Sequence, residues 1–229
     1  MQPGYFITGT DTGVGKTLVA SALVYQFAQR GFKSVGMKPV AAGCELVNGE
    51  LVSEDVAQLV SASNMVVPVP QINPYAFAPA IAPHLAAEMV GVEIELGTIQ
   101  QAYSMLAAQA EVVVVEGVGG FCVPLSDSAD TADLATALAL PVMMVVGMRL
   151  GCLNHALLTV AAIKARGLTL AGWIVNSIDP NMAMFEENLS SLKQRIDAPC
   201  LGVIPWQREA DFRLAASYLA SSAPSTTTL

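Results

Sequence analysis

The sequence contains little charge of either sign. Charged residues make up 13% of the 229 positions and hydrophobic residues 53%, and the formal net charge is −8. So few charges imply that apolar surface is buried against a partner, and we expect an oligomer. The acidic balance argues against a nucleic-acid-binding or anionic-membrane-binding protein. It does not exclude a nucleotide, because backbone N–H groups bind phosphate whatever the net charge.

Other features are also missing. The most apolar stretch, residues 134–148, contains Pro141 and is shorter than the roughly 20 residues of a membrane span. We interpret it as a buried helix followed by a buried strand. The four cysteines are far apart, which favours reduced thiols in a cytoplasmic protein. The N-terminus lacks the pattern of a signal peptide, and His84 and His155 have no partners at metal-ligand spacing.

Short apolar strands alternate with helical patterns along the chain. Uniform valine in residues 111–117 indicates a strand buried on both faces, as in a parallel sheet covered by helices. The predicted class is therefore a single α/β domain over 1–229, with helices on both faces of a parallel sheet. The Pro-rich stretch 68–83 is expected to cross the surface, and the tail 220–229 to fray. Strands are predicted at 4–9, 33–40, 111–117, 141–147, 170–176 and 200–204, and helices at 16–30, 54–62, 95–109, 130–138, 154–166 and 182–195.

The first predicted strand runs into the turn "GTDTGVGKT", residues 9–17, which is typical of a phosphate-binding loop. Glycines let backbone N–H groups approach phosphate oxygens, Lys16 would neutralise the β- and γ-phosphates, and the Thr17 hydroxyl would bind Mg²⁺. The position between a strand and a helix favours this interpretation over an ordinary Gly-rich turn. One departure is that Thr10 stands where the motif usually has its first glycine, with Gly9 one residue earlier.

Polar residues follow other predicted strands, at the edge where parallel sheets bind their ligands. Lys38 follows the second strand, and Glu116 follows the valine run, where a buried carboxylate needs a partner or a cation. Asp55 either reaches a metal or is an exposed acid near a helix N-cap. Asn176 offers a carboxamide that matches the edge of adenine, and Trp206 an aromatic wall. Both could equally be turn or packing residues.

Six segments together resemble the dethiobiotin synthetases: "YFITGTDTGVGKT", "GMKPVAAG", "VVVVEGVGG", "RLGCLNHALLT", "GLTLAGWIVN" and "LGVIPW". They occur in order from about residue 4 to residue 207, and the Thr-Asp-Thr loop and the Lys-Pro-Val turn are specific in combination. The resemblance implies a P-loop fold and the ATP-dependent conversion of 7,8-diaminopelargonate and CO₂ (or bicarbonate) to dethiobiotin, ADP and phosphate. The intermediates would be a carbamate and a carbamic-phosphate anhydride. Mg²⁺ and a homodimer with a shared active site are also implied.

The resemblance also implies roles for individual residues. Lys38, Lys16 and Thr12 would be catalytic, and Thr17, Asp55 and Glu116 would hold Mg²⁺. Substrate contacts would be Lys38, Ala42 and, from the neighbouring subunit, Gly151, Cys152, Leu153 and Asn154, with Asn154 expected as a helix N-cap. Nucleotide contacts would be Gly13, Val14, Gly15, Lys16, Thr17, Leu18, Asp55, Glu116, Gly117, Val118, Gly119, Asn176, Ser177, Pro205, Trp206 and Gln207.

Two positions depart from the family pattern. Ala42 stands where members often have a hydroxyl residue, so a hydrogen bond to substrate would be missing. Gly13 stands where many members have an acid, which removes a charge near the phosphates and bears on nucleotide affinity or selectivity.

Two alternatives remain open. Plasmid-partition and septum-placing ATPases share this fold, but they carry a signature lysine five residues before the phosphate-loop lysine, where this chain has Asp11. A relative that only binds nucleotide is the other alternative, and Lys38 argues against it.

Overall fold

A six-stranded parallel sheet forms the centre of the computed structural model, which describes residues 4–220. The strands are β1 (Gly4–Gly9), β2 (Ser34–Met37), β3 (Val40–Ala42), β4 (Glu45–Val47), β5 (Glu50–Val52), β6 (Tyr75–Phe77), β7 (Val112–Glu116), β8 (Val142–Met148), β9 (Leu170–Ser177) and β10 (Cys200–Ile204). The helices are α1 (Lys16–Gln29), α2 (Glu54–Ala62), α3 (Val69–Ile72), α4 (Pro83–Glu88), α5 (Leu96–Ala107), α6 (Thr131–Leu138), α7 (Cys152–Ala165), α8 (Phe185–Arg195) and α9 (Phe212–Ala216).

The strand order places β1 near the middle of the sheet. The order is β10-β9-β8-β1-β7-β2, and β1 pairs in parallel with both β7 and β8. Because the chain crosses to the other side of β1 between β7 and β8, the topology reverses there, which is where such sheets bind ligands. The carboxyl ends of β1, β2 and β7 therefore meet at one edge, and the residues that follow them lie close together.

Helices cover both faces of the sheet. Tyr5 and Ile7 of β1 pack in the same apolar cluster as α1, whereas Phe6 between them packs in the cluster of α5 and α6. Every residue of β1, β7 and β8 is buried. Full burial of each valine stabilises the fold by about 1.5–3 kcal/mol, which explains the uniform Val run. The predicted fold class is confirmed.

The second strand was predicted to continue to residue 40, and this is wrong. β2 ends at Met37, because Pro39 has no N–H to donate to a sheet. Val40 instead begins β3, which pairs with β6 in a separate two-stranded sheet.

The Pro-rich stretch 68–83 is largely exposed or half-buried, in line with the predicted surface excursion, but it is also anchored in the core. Ile72 and Phe77 are only 2% and 4% exposed, because these apolar residues between the prolines fill the core beside the sheet. The Ile72 carbonyl accepts the Lys38 N–H at 2.9 Å, and the Asn73 amide donates to the Lys38 carbonyl at 2.7 Å. This stretch therefore fixes the backbone of Lys38.

Several short elements were missed, among them a hairpin and helix α9, and two helix starts were misplaced, those of α7 and α8. The β4–β5 hairpin turns at Asn48-Gly49, both with positive φ, as in a type I′ turn. Helix α9 follows Asp211, whose carboxylate accepts the Arg213 N–H. Helix α8 begins at Phe185 rather than 182. The frayed tail predicted for 220–229 lies, from residue 221 on, outside the described residues.

The apolar stretch 134–148 is confirmed as the end of a buried helix, α6, followed by the buried strand β8. Across residues 4–220, no helix combines the length and apolar character needed to cross a bilayer.

Candidate active site

A cavity of about 710 Å³ opens where β1, β2 and β7 end. Residues from the phosphate loop, the turn after β2, the start of α2 and the loop after β7 line it. They are Thr12, Gly13, Gly15, Lys16, Thr17, Lys38, Ala42, Asp55, Ala80, Ile81, Ala82, Pro83, Glu116, Val118, Gly119 and Val123. The wall of residues 80–83 was not predicted, because its small apolar residues carry no chemical signal in the sequence.

Gly15 gives the phosphate loop its shape. It has φ +91, in the left-handed region that favours glycine. A Cβ there would overlap the side-chain amide of Asn176, which donates to the Val14 carbonyl at 3.0 Å. Helix α1 begins at the next residue, Lys16, so its free N–H groups lie at the cavity, in the arrangement that binds phosphate.

Lys16 is buried at the base of the loop. Its ammonium donates to the Asp11 carbonyl at 3.1 Å. Burial, with the nearby Lys38 charge as the second cause, lowers the pKa of Lys16 to about 8. Burial destabilises the charged form of Lys16, and an anionic partner would offset that cost. The site is therefore suited to bind phosphate.

Four side chains meet beside the loop. The Lys38 ammonium lies 2.5 Å from Glu116 Oε1, 2.9 Å from Asp55 Oδ2 and 3.3 Å from the Gly117 carbonyl. The Thr17 hydroxyl lies 2.8 Å from Asp55 Oδ1 and 2.9 Å from Glu116 Oε1, and its single proton can be donated to only one of them at a time. Residues predicted from separate strand ends thus form one cluster.

Burial and charge act against each other in this cluster. Burial raises the pKa of Glu116, and the Lys38 ammonium only partly offsets it. For Lys38, burial alone would lower the pKa, but the Glu116 and Asp55 carboxylates outweigh it and raise the pKa. Burial alone would raise the pKa of Asp55, but the Lys38 ammonium outweighs it and the pKa is lowered. The cluster therefore holds a charged lysine between two acids.

The oxygen atoms of this cluster fit a magnesium ion. Glu116 Oε2 is buried and has no hydrogen-bond partner among the described residues. A carboxylate oxygen left unpaired at such depth needs a donor or a cation. Within residues 4–220, no group of three or more His, Cys, Asp or Glu could hold a metal. Mg²⁺ typically uses one or two carboxylates together with substrate phosphates, so Thr17, Asp55 and Glu116 suit it.

The residues predicted to contact the base lie apart from this cavity. Ser177, Pro205 and Trp206 line a second cavity of about 390 Å³ beyond β9 and β10, with Phe185 and Tyr218 as further walls. Gln207 is near them in sequence, and its side-chain oxygen accepts the Asp211 N–H at 2.9 Å.

The structure corrects one prediction for the segment 150–154, the identity of the helix N-cap. Asn154 is not the N-cap of α7, because Gly151 occupies that position with φ +96 and the helix begins at Cys152. The Cys152 side chain is buried, and its N–H donates to the Arg149 carbonyl at 3.0 Å, so neither faces solvent as a free group. Among the described residues that line the two cavities, none comes from 150–154.

The parallel sheet and its strand–loop–helix phosphate site define a nucleotide-binding protein of the P-loop class, and residues 3–212 match the AAA domain family model. The chain is 54% identical to the ATP-dependent dethiobiotin synthetase BioD of Nitrosospira multiformis, over 96% of this chain and 95% of that protein. It is 57% identical to the enzyme of the same name from Aromatoleum aromaticum, over 90% and 92%. The chain therefore belongs to the dethiobiotin synthetase family.

Solved structures of other families share the fold. The MinD cell division protein of Aquifex aeolicus aligns with a TM-score of 0.57 at 15% identity, covering 96% of this chain and 92% of that one. A ParA family ATPase from Chlorobium tepidum aligns with a TM-score of 0.55 at 13% identity, with the same coverage. At such low identity these likenesses show the fold alone.

Proposed function

We propose that this protein converts 7,8-diaminopelargonate, CO₂ and ATP to dethiobiotin, ADP and phosphate. Family membership supports this assignment. The observation that carries it is Lys38, a buried ammonium from outside the phosphate loop that lies at the same cavity as Lys16. Two cations at one cavity suit a reaction that brings an anionic carbamate to an anionic triphosphate.

The chemistry has three steps. One amine of the substrate attacks CO₂ and loses a proton, which gives a carbamate. A carbamate oxygen then attacks the γ-phosphorus, the bond to the bridging oxygen breaks, and ADP leaves. The second amine attacks the carbonyl carbon of the resulting anhydride, phosphate leaves, and loss of a proton completes the ureido ring. Lys16, Lys38 and Thr12 would stabilise the negative charge that develops on the phosphate oxygens during phosphoryl transfer.

Thr17, Asp55 and Glu116 would hold Mg²⁺, which would neutralise charge on the β- and γ-phosphates when bound. Residues 13–18 would contact the phosphates and residues 116–119 the nucleotide beside them. Asn176, Ser177 and residues 205–207 would contact the base. One N–H of the Asn176 amide donates to Val14, which leaves its second N–H and its carbonyl oxygen available to the base.

We also propose a cytoplasmic homodimer with a shared active site. Leu150 is 98% exposed and Leu158 62%, which supports an apolar partner surface from the turn before α7 to the middle of that helix. Backbone N–H groups in 150–154 would bind the substrate carboxylate in the partner's site, apart from that of Cys152, which is already used. Nothing in the acidic composition favours a nucleic acid or a membrane as a partner.

No observation favours the nucleotide-switch alternative over this one. Asp11 stands where those ATPases carry their signature lysine, and its carboxylate is paired with Arg149.

The decisive experiment incubates the protein with ATP, Mg²⁺ and bicarbonate, with and without 7,8-diaminopelargonate, and detects product by mass. Dethiobiotin, with phosphate released only when the diamine is present, is the expected result. ATP hydrolysis that ignores the diamine and yields no ureido product would reject the synthetase in favour of the switch.

A further inference from the structure

An ion pair joins the phosphate loop to the start of α7. The Arg149 guanidinium donates to Asp11 Oδ2, and His155 Nδ1, on the first turn of α7, lies 4.0 Å from the same oxygen. Asp11 belongs to the loop, and Arg149 directly follows β8. The two segments are far apart in sequence, and this contact connects their side chains.

Asp11 holds the loop through three of its atoms. Its Oδ1 accepts the Thr12 N–H at 2.8 Å, its backbone carbonyl accepts the Lys16 ammonium at 3.1 Å, and its Oδ2 accepts from Arg149. A shift of Asp11 would therefore move both a cavity-lining residue, Thr12, and the lysine at the base of the loop.

Arg149 holds the other segment in the same way. Its carbonyl accepts the Cys152 N–H at 3.0 Å and so closes the turn that Gly151 makes before α7. Its side chain reaches the loop while its backbone shapes the helix start. The pair is about half exposed, with side-chain exposures of 43% and 41%, so it adds little to global stability. Its position between two binding segments suits it to couple them.

We propose that Arg149 is a positioning residue that couples nucleotide binding at the phosphate loop to ligand binding at the start of α7, through Asp11. This inference rests on the proposed function, in which the start of α7 binds the carboxylate of the diamine. In a shared-site dimer that carboxylate belongs to the partner's active site. The pair would therefore link the two active sites, so that nucleotide in one favours substrate in the other.

The test measures the affinity of a non-hydrolysable ATP analogue by calorimetry, with and without 7,8-diaminopelargonate. In the wild type, the diamine is expected to tighten analogue binding by about fivefold or more. Arg149→Gln should bring the ratio of analogue affinities with and without diamine close to one. Arg149→Lys should recover part of the wild-type ratio. Asp11→Asn should also lose it, with no further loss in the double variant, because the two residues act through one contact.

Arg166→Gln is the matched control. Arg166 is also an arginine of similar exposure held in an ion pair, in its case with the two acids Asp130 and Asp133, but it lies at the other end of α7. It should keep the wild-type ratio, and the unfolding midpoints of the two Gln variants should be similar.

Several results would overturn the inference. They are equal analogue affinity with and without diamine in the wild type, an unchanged ratio in Arg149→Gln, or an equal loss in Arg166→Gln. Dethiobiotin formation by the wild type separates the two proposals. If product forms but the diamine leaves the analogue affinity unchanged, the coupling is rejected and the proposed function stands. If the ratio depends on Arg149 but no product forms, the proposed function fails.

Discussion

The ammonium nitrogen of Lys38 lies 2.5 Å from Glu116 Oε1, and the side chains are only 4% and 1% exposed. Because both charges are buried, each depends on the other more than a surface pair would. Removing one partner of such a pair leaves an uncompensated charge and costs about 3–5 kcal/mol. A loss of activity at either position must therefore be separated from a loss of stability.

Replacement of Lys38 should show this separation. Lys38→Ala is expected to lower turnover by about 10²–10³-fold, because one donor to the transferring phosphate is lost. It should also lower the unfolding midpoint. The double variant Lys38→Met/Glu116→Gln should recover most of the stability, since no buried charge is left alone, while its turnover at saturating Mg²⁺ stays well below that of Glu116→Gln alone. Phosphate release and thermal unfolding measure the two effects.

Lys33→Ala is the control, because Lys33 is an exposed lysine just before β2. It should behave as wild type. Near-native turnover in the folded double variant would remove Lys38 from the catalytic machinery.

Glu116→Gln is expected to raise the Mg²⁺ concentration that half-saturates turnover by at least about tenfold, because an amide is a poorer ligand than a carboxylate. A Mg²⁺ titration at saturating ATP and diamine measures it. Glu111→Gln changes an exposed glutamate just before the same strand and should leave the titration unchanged. If Glu116→Gln and the wild type half-saturate at the same concentration, Glu116 does not bind the metal.

The two left-handed glycines of the phosphate loop should differ in their tolerance of alanine. Gly15→Ala would press a methyl group into the Asn176 amide, whereas nothing lies within 4 Å of a Cβ at Gly13. Both changes carry the backbone cost of positive φ, about 1–2 kcal/mol, but only the first adds a clash. Titration with an ATP analogue should show far weaker binding for Gly15→Ala than for Gly13→Ala. Equal losses would mean that the contact with Asn176 does not shape the loop.

The shared active site predicts complementation between inactive chains. Lys38→Ala removes the lysine from one half-site, and Gly151→Trp blocks the start of α7 in the other. After subunit exchange, each mixed dimer should contain one intact site, and the mixture should reach about a quarter of wild-type turnover. Gly151→Asn is the backbone control, because Asn tolerates the φ of +96 at this position. Mixing that restores no activity would show that each chain builds its own site.

The cluster around Lys38 could be predicted from the amino-acid sequence alone. Parallel strands end at one edge, so the residues after β1, β2 and β7 had to meet. The same reasoning could not show that Asp55 would reach them rather than solvent, because the orientation of α2 about its own axis decides which way its second residue faces. Nor could it reveal the direct pairing of Lys38 with both acids, which depends on side-chain rotamers.

The errors have local causes. Prolines in 68–83 suggested a surface excursion and much of the stretch is exposed, but the prediction overlooked Ile72 and Phe77, whose apolar side chains anchor it in the core. Asn154 was a good N-cap by residue type, yet the conformational freedom of Gly151 let the helix begin two residues earlier. The missed hairpin had a readable signal in "ELVNGELV", where Asn-Gly lies between repeated apolar residues.

The position of β1 in the sheet also determines when the site can form during synthesis. Gly4 pairs with Val113, and Phe6 pairs with Val142, so the first strand to leave the ribosome gains its first sheet neighbour only when β7 has been made and its second only with β8. At roughly 5–20 residues per second, that wait is on the order of ten seconds. The phosphate loop is thus encoded first, but the strand that leads into it stays without its second neighbour until more than half of the chain has been synthesised.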